Sequence, residues 1–470
     1  MLALDYLRRS RRITPEIELR ALEFINLGWQ RLLTFEVEGG GFDWWGKAPA
    51  NVVLSAYAIL EFTDMAKVTE IDRAVIDRTR AWLFSRQQAD GSWAMPPQTA
   101  WSWTGLGGPY VVTSWIAWSL AESGDRGPEV QRAARWILDH LDAAKDPYAR
   151  GLAMNALVAI DPQNPETRAL VRDIESKKVS TEDGKGVFWT QDAGTAFQAR
   201  GDFANIEATA LILNGLIEAR CYGDTLQRGL SWITRVKQAN GTWGTTSATV
   251  LSLRAILNGI GPRESDHPSD LTLRLNGVER RLHIAPDQSD VLHYVEFTDG
   301  DRQPAQPGAN TVDVETAGDP NAVLQLVGRC YIPWKDVRRD PKQPLEIEVQ
   351  YDRAKLAKTD LLTARVRMIY RGSEATGMVV ADLGVPPAFT VDESTFEAMT
   401  RDGRIDRYTL TARTITLYIG SLKPDQVMDF SFGLRAKYPI KAKTPKSVAY
   451  EYYSPDRRDE AEPVELEVTE

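Results

Sequence analysis

The stretch QQADGSW (Gln87 to Trp93) returns as KQANGTW (Lys237 to Trp243). With it Trp82, Gln88, Gly91 and Trp93 recur as Trp232, Gln238, Gly241 and Trp243, each displaced by 150 positions. Repetition at a fixed period constrains a fold more than any local propensity, because every copy must fold alike and bury its apolar face on a neighbour. Around the second copy, Leu226, Leu230 and Ile233 share one helical face, and Gly241 ends the helix as a left-handed cap residue would. The following TTSATVLSLRAIL is apolar nearly all round, the pattern of a buried helix. One unit is therefore an amphipathic helix, a Gly-x-aromatic turn and a buried helix. The same turn opens GGFDWWG (Gly40 to Gly46) and GKGVFW (Gly184 to Trp189). The steps from Trp45 to Trp93, Trp189 and Trp243 are 48, 96 and 54 residues. A degenerate copy, DPYARGLAMNALVAI (Asp146 to Ile160), fills the double step, so 150 is three repeats of about 50. Alternating outer and inner helices predict a closed or stacked helical ring. In it Gln88, Gly91, Trp93, Gln238, Gly241 and Trp243 are structural turn residues, the tryptophans covering the ends of hairpin cores.

Of 14 tryptophans, 13 lie before residue 244. GIGPRESDHPSD (Gly259 to Asp270) is turn-rich punctuation, after which the pattern becomes strand-like alternation. In LEIEVQY, Leu345, Ile347, Val349 and Tyr351 fall on one face, as do Phe430, Phe432 and Leu434 further on. Asn276-Gly277 suits a type I′ hairpin turn. RRDPKQP (Arg338 to Pro344) divides two β-rich stretches, and one short helix is expected near Ser394 to Thr400. The expected class is multidomain α plus β: an α/α toroid of helical hairpins, residues 1–262, followed by two β-sandwich-like domains, 263–343 and 344–470.

A net charge of −9 offers no basic patch for phosphates, which excludes a nucleic-acid partner. No apolar run reaches the roughly 20 residues of a membrane span. MLALDYLRRSRR carries its charges after a very short apolar stretch, unlike a signal peptide. Cys221 and Cys330, the only two cysteines, lack metal-like spacing and read as buried small hydrophobes.

The Gln-x-x-Gly-x-Trp turn resembles the repeat of α/α-toroid proteins generally, terpene cyclases and prenyltransferase β subunits included. More specifically, EFINLGWQRLLTFEVEGGGFDWWGKAPANVVLSAYAILEF, WLFSRQQADGSW and NGTWGTTSATVLSLRAIL resemble the thioester-containing domain of bacterial α2-macroglobulins. MVVADLGVPPAF (Met378 to Phe389) and KSVAYEYYSPDRR (Lys446 to Arg458) resemble that family's terminal, receptor-binding domain. Asp270 to about Trp334 would match the second half of its CUB domain.

This resemblance implies part of an endopeptidase inhibitor that traps proteases after bait cleavage, with no cofactor and no enzymatic activity. It places the parent protein outside the cell or in the periplasm, with endopeptidases as partners. The family's reactive Cys-x-Glu-Gln does not occur here: Cys221 precedes YGDT and Cys330 precedes YIPW. Such a motif is expected within about 20 residues upstream of Met1, at helix-scale spacing, with LALDYLRR as the end of an inner helix. The chain by itself is then expected to be inactive.

In some relatives a histidine before a Gly-Gly pair directs the thioester toward hydroxyls. QTAWSWTGLGG ends in Gly107 and Gly108, and Ser102 falls at that position, which favours direct amine attack. Trp101 and Trp103 either shield a thioester from water or form a packed aromatic loop. VDESTFEAMTR has no lysine where vertebrate relatives place receptor-contacting ones. Two alternatives remain: a glycan- or protein-binding toroid using Trp44, Trp45, Trp101 and Trp103, and a toroid enzyme. For the latter, no Asp-x-Asp-Asp acid and no Asp-x-Cys zinc ligand occurs.

Overall fold

The computed structural model describes residues 1–9, 13–94, 108–259, 268–288, 293–298, 304–318, 324–328, 331–337 and 340–470. They divide into two units, one made of Met1–Ile256 with Gly328–Glu470, the other of Leu257–Val327.

The helical part runs α1 (Leu2–Arg9), α2 (Pro15–Leu33), α3 (Val52–Met65), α4 (Arg73–Ser85), α5 (Gly108–Glu122), α6 (Pro128–Asp139), α7 (Pro147–Ile160), α8 (Pro165–Ser176), α9 (Asp202–Glu218), α10 (Gly223–Arg235) and α11 (Thr246–Gly259). Even-numbered helices bury a single stripe. In α6 it is Val130, Ala133, Ala134 and Ile137, and in α8 Thr167, Leu170, Val171 and Ile174. That is the i, i+3, i+4, i+7 spacing of an amphipathic helix lying on a core. Odd-numbered α5 and α9 are buried around most of their circumference. Chain entry is set by side-chain caps: Asp72, Asp146 and Asn164 each accept from a first-turn N–H of α4, α7 and α8. Proline supplies the first residue of α2, α6, α7 and α8, where its missing N–H costs nothing.

The inner helices pack in order, α3 on α5, α5 on α7, α7 on α9. Asn155 of α7 donates to Gly151 O and across to Leu211 O of α9 (2.8 Å), and Asn214 of α9 donates across to Leu251 O of α11 (3.0 Å). Arg254 of α11 then reaches back to Asp64 of α3 and to Glu122 of α5 (3.2 Å). The row of inner helices is thereby closed into a toroid. Between α8 and α9 a short hairpin pairs β1 (Val179–Ser180) with β2 (Val187–Phe188).

In the second unit, β3 (Ser269–Leu275), β4 (Val278–Ile284) and β5 (Val312–Ala317) form an antiparallel sheet in the order β4-β3-β5. The β3–β4 turn has φ of 48° at Asn276 and 82° at Gly277, both positive as a type I′ turn requires. Leu271, Leu273 and Leu275 bury one face of β3.

The C-terminal part has β6 (Leu345–Tyr351), β7 (Lys355–Ala357), β8 (Leu361–Tyr370), β9 (Val379–Gly384), β10 (Phe389–Val391), α12 (Ser394–Arg401), β11 (Arg407–Leu410), β12 (Thr414–Ile419), β13 (Val427–Ala436), β14 (Ile440–Lys443), β15 (Ser447–Glu451), β16 (Ser454–Ala461) and β17 (Glu465–Thr469). A four-stranded sheet, β10-β13-β8-β6, and a five-stranded one, β11-β12-β9-β15-β16, enclose a common core. Ile347, Val366, Phe430 and Phe432 come from the first, Ala381, Ile415, Leu417 and Ala449 from the second. Alternate residues point inward because the side-chain period of a strand is two. Helix α12 is the one helix after residue 345, and its Phe396 packs 5.2 Å from the Phe432 ring.

Candidate functional site

The repeated turns all lie where an inner helix begins, and their hydrogen bonds recur. Trp93 donates its indole N–H to Leu83 O (2.8 Å), at the end of α4, and its backbone N–H to Thr113 Oγ1 (3.0 Å) of α5. Trp189 does the same to Ile174 O (2.8 Å) and Thr209 Oγ1 (3.0 Å), Trp243 to Ile233 O (2.7 Å) and Thr249 Oγ1 (3.0 Å). All three rings are buried. Gln88 N–H donates to Ser92 O and Gln238 N–H to Thr242 O, closing the turns (2.8 Å each). Gly91 and Gly241 take φ of 99° and 85°, which only glycine adopts without strain. At Gly91 a Cβ would also meet Arg132 O at 2.6 Å.

This end of the toroid carries the terminal domain. Trp45, in the loop before α3, sits edge-on to Tyr418 of β12 (6.3 Å), with the Arg407 guanidinium over its ring at 5.0 Å. Its face is thus already occupied. On the other side, the loop before α9 meets the terminal domain: Gln198, at φ 62°, lies against Gly377, where any side chain would overlap it. Arg200 stands 3.8 Å from Glu374. A cleft of about 820 Å³ opens between α9, α10 and the start of β16, with Phe188, Trp232, Arg200 and Arg457 among its walls.

Helix α9 also carries a buried carboxyl. Glu207, on the second turn of α9, is wholly buried. It accepts from Ser247 Oγ (2.9 Å) of α11 and Thr195 Oγ1 (3.1 Å) of the preceding loop. The buried Tyr148 hydroxyl of α7 faces it. Burial pushes Glu207 up to about 7, opposed by these hydroxyl donors. Tyr453 lies in the β15–β16 turn of the terminal domain. Its phenol is raised first by burial, then by Tyr452 and Glu207. Glu451, also buried, is raised by burial and accepts from Arg457 Nη1 (3.1 Å).

Ser102, Trp101, Trp103 and Gly107 lie outside the described residues, and Gly108 opens α5 at φ 68°. Cys221 is a free, half-buried thiol against the toroid core, and Cys330 lies outside the described residues. Sequence reasoning passed over Glu207 and Arg254, although each is the lone charge inside an apolar run, in NIEATALIL and VLSLRAIL. That is the signal that marks a buried, partnered ionisable group.

The family model of the A-macroglobulin TED domain matches residues 1–258, and that of the A-macroglobulin receptor binding domain matches residues 374–463. The chain belongs to the α-macroglobulin family. It is 21% identical over 471 residues to complement C3 of Eptatretus burgeri, covering 94% of this chain and 28% of that protein. It is 23% identical over 310 residues to thioester-containing protein 1 (allele S1) of Anopheles gambiae, covering 63% and 22%. The chain thus spans about a quarter of the length of these curated relatives. Among solved structures it resembles Escherichia coli α2-macroglobulin from domain MG7 to the C-terminus, with TM-score 0.65, 14% identity, and 99% of this chain and 70% of that one covered. Salmonella α2-macroglobulin reacted with methylamine matches with the same score and identity, over 98% and 28%. At such identities these likenesses concern the fold. Among the described residues no helix is long and apolar enough to cross a membrane.

Proposed function

We propose that this polypeptide supplies the toroid body and the terminal domain of an α2-macroglobulin-like endopeptidase inhibitor. In that reading residues 1–262 are the thioester-type toroid, 263–343 a partial CUB-like β domain and 344–470 the receptor-binding-like domain. The observation that carries it is the two family matches in the family's own order, with the terminal domain seated on the end of the toroid where the inner helices begin. Partners are endopeptidases, met through the parent protein outside the cell or in the periplasm. The chain itself is not an enzyme. Neither Cys221 nor Cys330 stands in a Cys-x-Glu-Gln sequence, so it has no means of forming the internal acyl bond to a protease or an amine. With Ser102 at the histidine-equivalent position, the parent's acyl group would react directly with amines.

The test incubates the purified chain with trypsin-like and chymotrypsin-like endopeptidases at equimolar amounts and follows cleavage of a protein substrate, alongside uptake of labelled methylamine. Unchanged cleavage and no uptake are expected. Stoichiometric inhibition would overturn this assignment.

A further inference from the structure

We propose that the cleft between α9, α10 and the start of β16 is a binding site for a neutral oligosaccharide, with Trp232 as its stacking platform.

The cleft's volume, about 820 Å³, falls among those of small-ligand sites, about 300–1,000 Å³. Its apolar wall comes from the toroid. Trp232 of α10 is half-buried and its ring is backed in parallel by Phe188 of β2, with centroids 5.0 Å and planes 12° apart. Phe203 and Ile206 of α9 continue that wall. Trp45, another half-buried tryptophan at this seam, is already covered by Tyr418 and Arg407.

The remaining lining is polar, and much of it is unengaged. Among the described residues the side chains of Asp202, Gln238, Ser454 and Asp456 make no hydrogen bond or ion pair. Ser454 is only 3% exposed. A buried hydroxyl of that kind needs a partner from the cleft, water or ligand.

Charge and edge geometry decide the class of ligand. Arg200 and Arg457 line the cleft together with Asp202 and Asp456, so its formal charges cancel. Both guanidiniums have partners of their own, Arg457 bonding the buried Glu451 (3.1 Å) and Arg200 standing beside Glu374 (3.8 Å). An anion would meet two free carboxylates, and a cation two guanidiniums. A peptide strand would need an open sheet edge, but that of β16 is occupied at Arg458, whose backbone N–H donates to Gln343 Oε1 (3.0 Å). A sugar matches what is left. Its C–H face packs on an aromatic ring, and its vicinal hydroxyls donate and accept, as carboxylates and amides require. Trp232 supplies the first, and Asp202, Asp456 and Gln238 the second.

Isothermal titration of the whole chain with maltotriose, cellotriose and chitotriose tests the assignment. At least one is expected to bind saturably, one per chain, with a dissociation constant below about 5 mM. Trp232→Leu should weaken that binding about tenfold or more, and Asp456→Asn, at an exposed position, about threefold. Trp136→Leu, on α6 and outside the lining, should bind as the wild type does. No saturable binding of any of the three sugars up to about 10 mM overturns the proposal. So does binding that Trp232→Leu and Asp456→Asn both leave unchanged. Should Trp232→Leu misfold, Asp456→Asn combined with Asp202→Asn decides in its place. Saturation by a neutral tripeptide and by none of the sugars would assign the cleft to a peptide and refute the sugar reading.

Discussion

Replacing Arg254 by methionine should open the toroid at its closure. The guanidinium is 6% exposed and bonds Asp64, equally buried, and Glu122 (3.2 Å), with the Trp118 ring 6.0 Å away. Methionine keeps the packing stem and removes the charge, stranding the Asp64 carboxylate with Lys67 alone (2.7 Å), whose side chain is 48% exposed. Breaking a buried pair from one side costs about 3–5 kcal/mol. Lys67 remains, so the lower figure, about 3 kcal/mol, applies. Asp64→Asn should cost a similar amount, and the double variant far less than their sum, with a coupling of at least ~1.5 kcal/mol. Urea titration followed by tryptophan fluorescence is suited to the measurement, because 13 of 14 tryptophans belong to the toroid sequence. At a slope near 3 kcal/mol/M the midpoint falls by about 1 M. A loss below about 1 kcal/mol, or strict additivity in the cycle, would refute the view that this triad closes the ring.

Two further outcomes concern the repeated turns. Trp189→Phe leaves Ile174 O without its 2.8 Å indole donor and shrinks a fully buried ring, so a loss of roughly 2–3 kcal/mol is expected in the same titration; a change within about 0.5 kcal/mol would contradict it. Gly91→Ala meets both a φ of 99° and the Arg132 carbonyl at 2.6 Å, and should cost more than about 1 kcal/mol, whereas Gly241→Ala, with open space around it, should cost only the backbone strain.

The toroid was legible because its turns are chemically narrow. A left-handed glycine, an indole that must reach a carbonyl and a hydroxyl that must reach an N–H leave few alternatives at those positions. The copy without a tryptophan was still legible through Asp146-Pro147, a cap and a first-turn proline, and the structure begins α7 there with Asp146 accepting from Ala149 N–H (2.8 Å). The strand faces of Leu345 to Tyr351 and Phe430 to Leu434 followed from period two alone. The seam did not. Glu207 owes its character to burial and to Ser247, 40 residues away, and periodicity carries no information about such a pairing. The stretch holding Ser102, Trp101 and Trp103 lies outside the described residues, so the reading of those positions rests on the resemblance.

The salt-bridged closure at Arg254 has a consequence for how such a chain can change its length. An open stack of helical hairpins grows or shrinks by one unit at little cost, since only two neighbours notice. A ring has no free end. Deleting the hairpin of α6 and α7 would uncover the side of α5 that packs on them, and would carry Arg254 away from Asp64. Insertions and deletions in this fold are therefore confined to the connections between helices, and the number of hairpins is a property of the closed circuit as a whole.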